Sequence, residues 1–235
     1  MSGKLYLIPN VISEDGLQTI PSYICGIVEH LRFFFVEEEK AARRFLKQLN
    51  PQFPIALTVF FLLNEHTSAQ EAERYFKTVL ENDAGIISEQ GCPCVADPGA
   101  NIVLLAHKNN REVIPLVGPS SILLALMASV LNGQNFAFNG YLPKEKHARL
   151  KKIKDLENRS FKEVQTQIFM ETPYHNQNVF EDILAVCDPE TLVCIAADLT
   201  SPTQYIKTRL AKEWKKQKIL LNKRPALFLI QKLNQ

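Results

Sequence analysis

Short apolar runs alternate with amphipathic stretches along the first half of the chain. The pattern predicts strands over 4–8, 32–36, 55–62, 84–88 and 113–117, with helices over about 16–29, 38–49, 68–81 and 97–108. Ser68 followed by Glu71 writes a capping box at the start of the third helix. Repeated strand-helix-strand units need a parallel sheet covered on both faces, so residues 1–117 read as an α/β domain. The second half is less regular. Helices are predicted near 119–131, 144–157, 173–186 and 209–217, and strands near 135–140, 166–171, 191–197, 203–208 and 225–231. That mixture reads as an α+β domain with a mixed sheet over 118–235.

The densest punctuation lies where the fourth strand gives way to the fourth helix. The apolar run Ala84–Ile87 stops at Ser88-Glu89, and a loop stiffened by Gly91 and Pro93 follows. Asp97 reads as an N-cap and Pro98 as the first helical residue, with Ile102 to Leu105 supplying the apolar face. A second strand-loop-helix junction, Gly118-Pro119-Ser120-Ser121, comes soon after. Loops at the carboxyl ends of strands in open α/β sheets are where such sheets bind ligands, so two junctions so close suggest one cleft.

Composition narrows the class. At 235 residues, 46% hydrophobic and 22% charged, the chain is an ordinary globular one with room for sizeable cores. No apolar run approaches the roughly 20 residues that span a bilayer, and Met-Ser-Gly-Lys leads into a strand with no signal-peptide pattern. The expectation is a cytoplasmic protein. Five scattered cysteines fit a reducing compartment. Cys92 and Cys94 are too close for a paired zinc knuckle and no partner ligands lie nearby, so no metal is expected. A net charge of +2 offers no bulk attraction to nucleic acid, leaving only local patches. There is no G-x-G-x-x-G and no P-loop, which argues against NAD, FAD and ATP.

The 86–99 loop (IISEQGCPCVADPG) resembles the S-D-A-G-x-P-x-x-S-D-P-G signature of the tetrapyrrole methylase superfamily, and more narrowly its bacterial small-subunit ribosomal RNA branch. Other segments resemble that branch in the same order along the chain. They are Leu5–Asn10, Glu37–Leu46, Asn64-Glu65-His66, Gly118–Ser121, Phe138–Pro143, Met170–His175 and Ala197–Thr200. The resemblance implies a two-domain tetrapyrrole-methylase-like fold with a cofactor cleft between the domains, a homodimer, and methyl transfer from S-adenosylmethionine. S-adenosylhomocysteine is then the product. The acceptor it implies is a ribose 2′-hydroxyl of ribosomal RNA in the small subunit, in the bacterial cytoplasm, with no membrane partner.

Carried over position by position, the donor pocket implied by the resemblance comprises Pro9, Ser88, Gly91, Cys92, Pro93, Val95, Asp97, Ser120 and Ser121. From the second half it takes Met170, Glu171, Thr172, Ala197, Asp198, Leu199, Pro225 and Ala226. Each has a plainer reading: Pro9 ends a strand, Asp97 caps a helix, and Gly118-Pro119-Ser120 is a turn. No catalytic base is fixed; Glu65, His66 and Glu38 are the acid/base candidates. Lys144, Arg149, Lys151 and Lys152 lie on a basic segment suited to phosphates. Trp214, set among lysines, reads either as a base-stacking ring or as the apolar anchor of its helix.

Several polar positions depart from the pattern. Glu38-Glu39-Lys40 stands where the branch has D-T-R, Gln90 where it has Ala, Val11 where it has Gly, and Ala197 where it has Arg. Arg224-Pro225 occupies a usual glycine position. An ammonium does not reproduce the planar fork of a guanidinium. Donor-side backbone features survive better than acceptor-side charges. Two alternatives therefore stay open: a tetrapyrrole or other small-molecule acceptor, and a non-catalytic member that binds cofactor or RNA.

Overall fold

The computed structural model describes residues 3–233. It divides into two compact units between Ser120 and Ser121. The first unit runs β1 (Leu5–Ile8), α1 (Tyr23–Val28), β2 (Phe33–Val36), α2 (Glu39–Leu49), β3 (Val59–Leu62), α3 (Ala69–Thr78), β4 (Ala84–Ile87), α4 (Ala100–Lys108) and β5 (Val113–Pro115). Its sheet has the order β3-β2-β4-β1-β5, and every pairing is parallel. The chain steps outward from β1 to β2 and β3, then β4 returns to the centre beside β1. The loops that leave β1 and β4 therefore emerge side by side.

Both faces of this sheet are buried, as a parallel sheet requires. Alternation along β2 sends Phe34 into a core with Ile8, Ile24 and Phe45, and Phe35 into one with Phe61, Phe76 and Ile102. In-register pairing stacks Phe34 on Phe60 and Phe35 on Phe61 at centroid separations of 5.9 and 5.3 Å. Gly85 of β4 makes room for the first cluster, since a Cβ there would sit 2.5 Å from Ile8 Cδ1.

The second unit contains α5 (Ser121–Ala128), β6 (Phe136–Tyr141), α6 (Lys146–Glu163), β7 (Thr166–Glu171), α7 (Asn176–Val186), β8 (Leu192–Ala197), β9 (Tyr205–Leu210), α8 (Ala211–Trp214) and β10 (Ala226–Gln231). Its sheet, β6-β7-β10-β8-β9, is mixed: β6 and β7 are parallel and the other pairs antiparallel. The expected α/β class, with one parallel and one mixed sheet, is what the structure has. Ile153, Phe169, Phe180, Trp214 and Phe228 form the core of this unit. Trp214 is its anchor and does not stack on a ligand: the ring is 1% exposed, and Nε1 donates to the Val193 carbonyl at 2.8 Å.

Several element boundaries differ from expectation, each for a local reason. The helix expected over 16–29 is a 3-10 turn, Leu17–Thr19, and then α1, because Pro21 has no N–H to continue a ladder. The strand expected from 55 opens with another 3-10 turn, Ile55–Leu57, and only Val59–Leu62 pairs. Helix α4 starts at Ala100 and not near Asp97, because Gly99 at φ 131° takes the N-cap position and no side chain caps it. Helix α6 extends to Glu163, supported by Arg159–Glu163 one turn apart, and stops at Val164 in the left-handed region. The helix expected over 209–217 is the single turn α8. The Ser68–Glu71 capping box forms as written.

Arg149 sits on the inner face of α6 and is not a free surface cation. Its Nε donates to Asp182 on α7 at 2.7 Å, and Nη1 donates to the Lys144 carbonyl at 2.8 Å. Both partners of the ion pair are buried. Breaking a buried pair leaves one uncompensated charge. Asp182→Ala is therefore expected to lower the unfolding free energy by about 3–5 kcal/mol in urea titrations, whereas Lys151→Ala, on the exposed face, should change it by less than about 0.5 kcal/mol.

Candidate functional site

The loops leaving β1, β4 and β5 are tied into one construction. Asn10 and Gly91 form an isolated two-way bridge, with N–H to carbonyl distances of 2.9 and 3.1 Å. The buried Asn10 amide then donates to the Ser88 and Glu89 carbonyls at 3.0 and 3.1 Å, while its Oδ1 accepts from Val11 N at 2.8 Å. Ser88 closes the loop on itself by donating to the Gly91 carbonyl at 2.6 Å. Pro9 packs so closely on Gly118 that a Cβ there would lie 2.2 Å from the Pro9 ring. Cys92 Sγ approaches the Pro119 carbonyl at 3.5 Å. Asn10 was quoted above only as part of a motif; the sequence signal for its role is an amide directly after a strand-ending proline.

Pro9, Ser88, Gly91 and Pro93 are buried in this construction, Cys92, Asp97, Ser120 and Ser121 are half-buried, and Val95 is exposed. The backbone here is strained. Cys94 and Ala96 hold left-handed φ values of 66° and 57°, alongside Gly91 at 69° and Gly99 at 131°. Such conformations cost about 1–2 kcal/mol each for a residue with a side chain and persist only where the surroundings impose them. Gly99 has little freedom to change, since a Cβ would meet Cys94 Sγ at 2.8 Å.

Acidic side chains gather beside the loop. Burial, the charge of Glu37, a hydrogen bond with Glu37 and the charge of Glu89 push the Asp97 carboxyl up to about 7. Glu89 is raised as well, by burial and by the charges of Glu37 and Glu38. Burial and Asp97 push the Cys94 thiol up to about 11, so it stays protonated and inert as a nucleophile. Glu38 meanwhile caps α2, accepting from Lys40 N at 2.8 Å and Ala41 N at 2.6 Å. Glu65 and His66, 3.6 Å apart, lie exposed in the turn after β3. Among the described residues no group of three His, Cys, Asp or Glu is arranged to hold a metal ion.

In the second unit, three expected segments meet at one end of the central strands. Register places Ala226 opposite both Glu171 and Ala197, and Leu227 opposite Met170. Thr172 N donates to the Glu171 carboxylate at 2.7 Å, and Asp198 N donates to the Pro225 carbonyl at 2.9 Å. Here too the backbone is left-handed, at Asp198 (49°) and Thr200 (67°), and Leu199 is buried between them. Arg224 is fixed in place: Nε donates to Asp198 at 2.7 Å and Nη2 to the Thr203 carbonyl at 2.9 Å. A guanidinium thus stands beside a segment that has Ala197 where the resemblance has Arg. Lys144, Lys151 and Lys152 are exposed.

No family model matches the chain. It is similar to proteins named Ribosomal RNA small subunit methyltransferase I. The relative from Vibrio cholerae is 28% identical over 204 residues, covering 86% of this chain and 67% of the relative. The one from Escherichia coli O157:H7 is 26% identical over 205 residues, covering 87% and 68%. Among solved structures, the methyltransferase CobJ superposes with a TM-score of 0.64 at 13% identity, covering 98% of this chain and 94% of that one. The relatives and the fold, which is that of the methyltransferase CobJ, together make the chain a methyltransferase. Within that class the chain is a homologue of the ribosomal RNA small subunit methyltransferase I proteins.

The acid cluster has a stability consequence. An Asp97 carboxyl near 7, against an ordinary value of 3.8, keeps a proton that the unfolded chain gives up. Stability therefore falls as pH rises from about 4 to about 7, and the cost is fully present above that window. Asp97→Asn should raise the melting temperature at pH 8, by about 1 kcal/mol or more in unfolding free energy, with little gain at pH 4.5. Thermal scans at the two pH values check this.

Proposed function

We propose that this chain transfers the methyl group of S-adenosylmethionine to ribosomal RNA of the small subunit, at a ribose 2′-hydroxyl, in the bacterial cytoplasm. The observation that carries the proposal is the bridged, strained loop pair at Asn10–Gly91 and Pro9–Gly118, in a chain whose homologues are named Ribosomal RNA small subunit methyltransferase I. S-adenosylmethionine supplies an activated methyl on a sulfonium sulfur. The residues present fit such a ligand. Positive φ at Cys94 and Ala96 fixes an unusual backbone path, the Asn10–Gly91 bridge anchors its start, and the close packing at Gly99 leaves it little freedom to change.

In this reading Pro9, the Ser88–Asp97 loop, Ser120 and Ser121 hold one part of the cofactor. Met170–Thr172, Ala197–Leu199 and Pro225-Ala226 contribute from the second unit. In-line methyl transfer asks mainly for positioning and electrostatics, which rigid backbone supplies without reorganisation. A 2′-hydroxyl must lose its proton as it reacts, and Glu38, Glu65 and His66 are the acid/base candidates. Lys144, Lys151 and Lys152 on the exposed face of α6 and its lead-in contact phosphates; Arg149 does not, because it is committed to Asp182. Leu123 and Met127, one turn apart on α5, and Val130 just past its end make an exposed apolar stripe, with Met127 and Val130 at 80% and 82%. We assign that stripe to a homodimer contact, which light scattering would register as twice the 26.7 kDa chain mass.

The direct test is transfer of labelled methyl from S-adenosylmethionine to small ribosomal subunits taken from cells lacking this gene. Incorporation into the RNA is the expected result, with affinity falling by about 0.7 logarithmic units per contacted phosphate for each tenfold rise in salt. Lys151→Glu with Lys152→Glu should flatten that slope by about two contacts. Incorporation into no ribosomal RNA would refute the acceptor.

A further inference from the structure

A cavity of about 240 Å³ opens in the first unit between the loop after β1 and helix α2. It shares Glu89 and Gln90 with the loop that the proposed function gives to the methyl donor. At that volume it is larger than a packing defect. Its lining includes the apolar side chains of Ile12 and the buried Phe45. Its rim carries the amides of Gln48 and Gln90 and the charges of Glu14, Glu89 and Arg44.

That charge balance selects the guest. Two carboxylates face one guanidinium, and Arg44 is already 3.8 Å from Glu14. A phosphate or other anion would be repelled. A flat, neutral heterocycle fits instead: its faces lie against apolar side chains or the guanidinium plane, and its edge meets amides and carboxylates. Those are the contacts by which proteins read unstacked bases in single-stranded RNA.

We propose that this cavity receives the base of the nucleotide being methylated, or of its immediate neighbour, unstacked from the RNA. The assignment rests on the ribosomal RNA reading above. It gives the acceptor a base pocket on the first unit, and it accounts for the polar residue Gln48, which the donor site does not use.

The test uses Gln48→Ala, which removes an exposed rim amide, and Ala41→Leu, which narrows the cavity. Labelled methyl transfer to small ribosomal subunits is measured with titration of S-adenosylhomocysteine in parallel. Each variant should lose about tenfold or more in kcat/KM for the subunit, the size expected for one good base contact, while affinity for S-adenosylhomocysteine stays within about twofold of wild type. Should Ala41→Leu fail to fold, Gln48→Ala decides alone. Wild-type kcat/KM in the variants overturns the cavity assignment and leaves the RNA reading standing. A matching fall in S-adenosylhomocysteine affinity also overturns it, by making the cavity part of the donor site. If wild-type protein binds S-adenosylhomocysteine but methylates no subunit RNA, the RNA reading falls and the base pocket falls with it.

Discussion

One asparagine fixes the geometry on which the rest depends. The return of β4 to the centre of the parallel sheet brings two loop starts together, but parallel strands offer no hydrogen bonds beyond their ends. Asn10 supplies them: its backbone bridges Gly91 and its amide reaches two further carbonyls of the same loop. A buried amide donating twice, in surroundings that exclude water, is costly to leave unpaired, so the loop has one low-energy arrangement. The left-handed φ values at Cys94 and Ala96 are held against that anchor. The strain falls in the segment where rigid, outward-facing backbone is useful to a ligand.

Acidity is the second organising feature. Glu37 leaves β2, and Glu89 and Asp97 lie on the loop between β4 and α4, so two strand-end loops deliver three carboxyls to one place. Their mutual repulsion and partial burial hold a proton near neutral pH. The arrangement destabilises the fold above pH 7, a cost of the kind expected where a site is built for something other than stability. In the second unit the opposite charge is managed differently. Arg224 is matched by Asp198, so a departure from the resemblance becomes a local ion pair beside the segment that lost its own basic residue.

Much of this was legible in the chain. Alternation and apolar runs gave the strands, because burial on two faces leaves β2 and β4 no polar positions. The Ser68 capping box was readable because both of its partners lie within four residues. What could not be read depended on contacts distant in sequence. Asp97 looks like a cap, but Gly99 takes that place and the carboxyl turns to Glu37, a partner 60 positions away. Arg149 looks like one more cation on a basic helix until Asp182, on another helix, claims it. The helix expected over 16–29 is broken at Pro21, a residue that cannot donate to the ladder. The loop proposed for the donor was marked out by resemblance and by its turn residues, whereas the Asn10 clamp needed the strand order.

The central proposal is that the clamped loop pair binds S-adenosylmethionine. Calorimetric titration of the wild-type chain with S-adenosylhomocysteine tests it most directly, since no acceptor or turnover is involved. The account predicts saturable binding of one molecule per chain, with a Kd in the micromolar range or tighter. No heat of binding up to millimolar ligand, from protein that melts cooperatively, would contradict it.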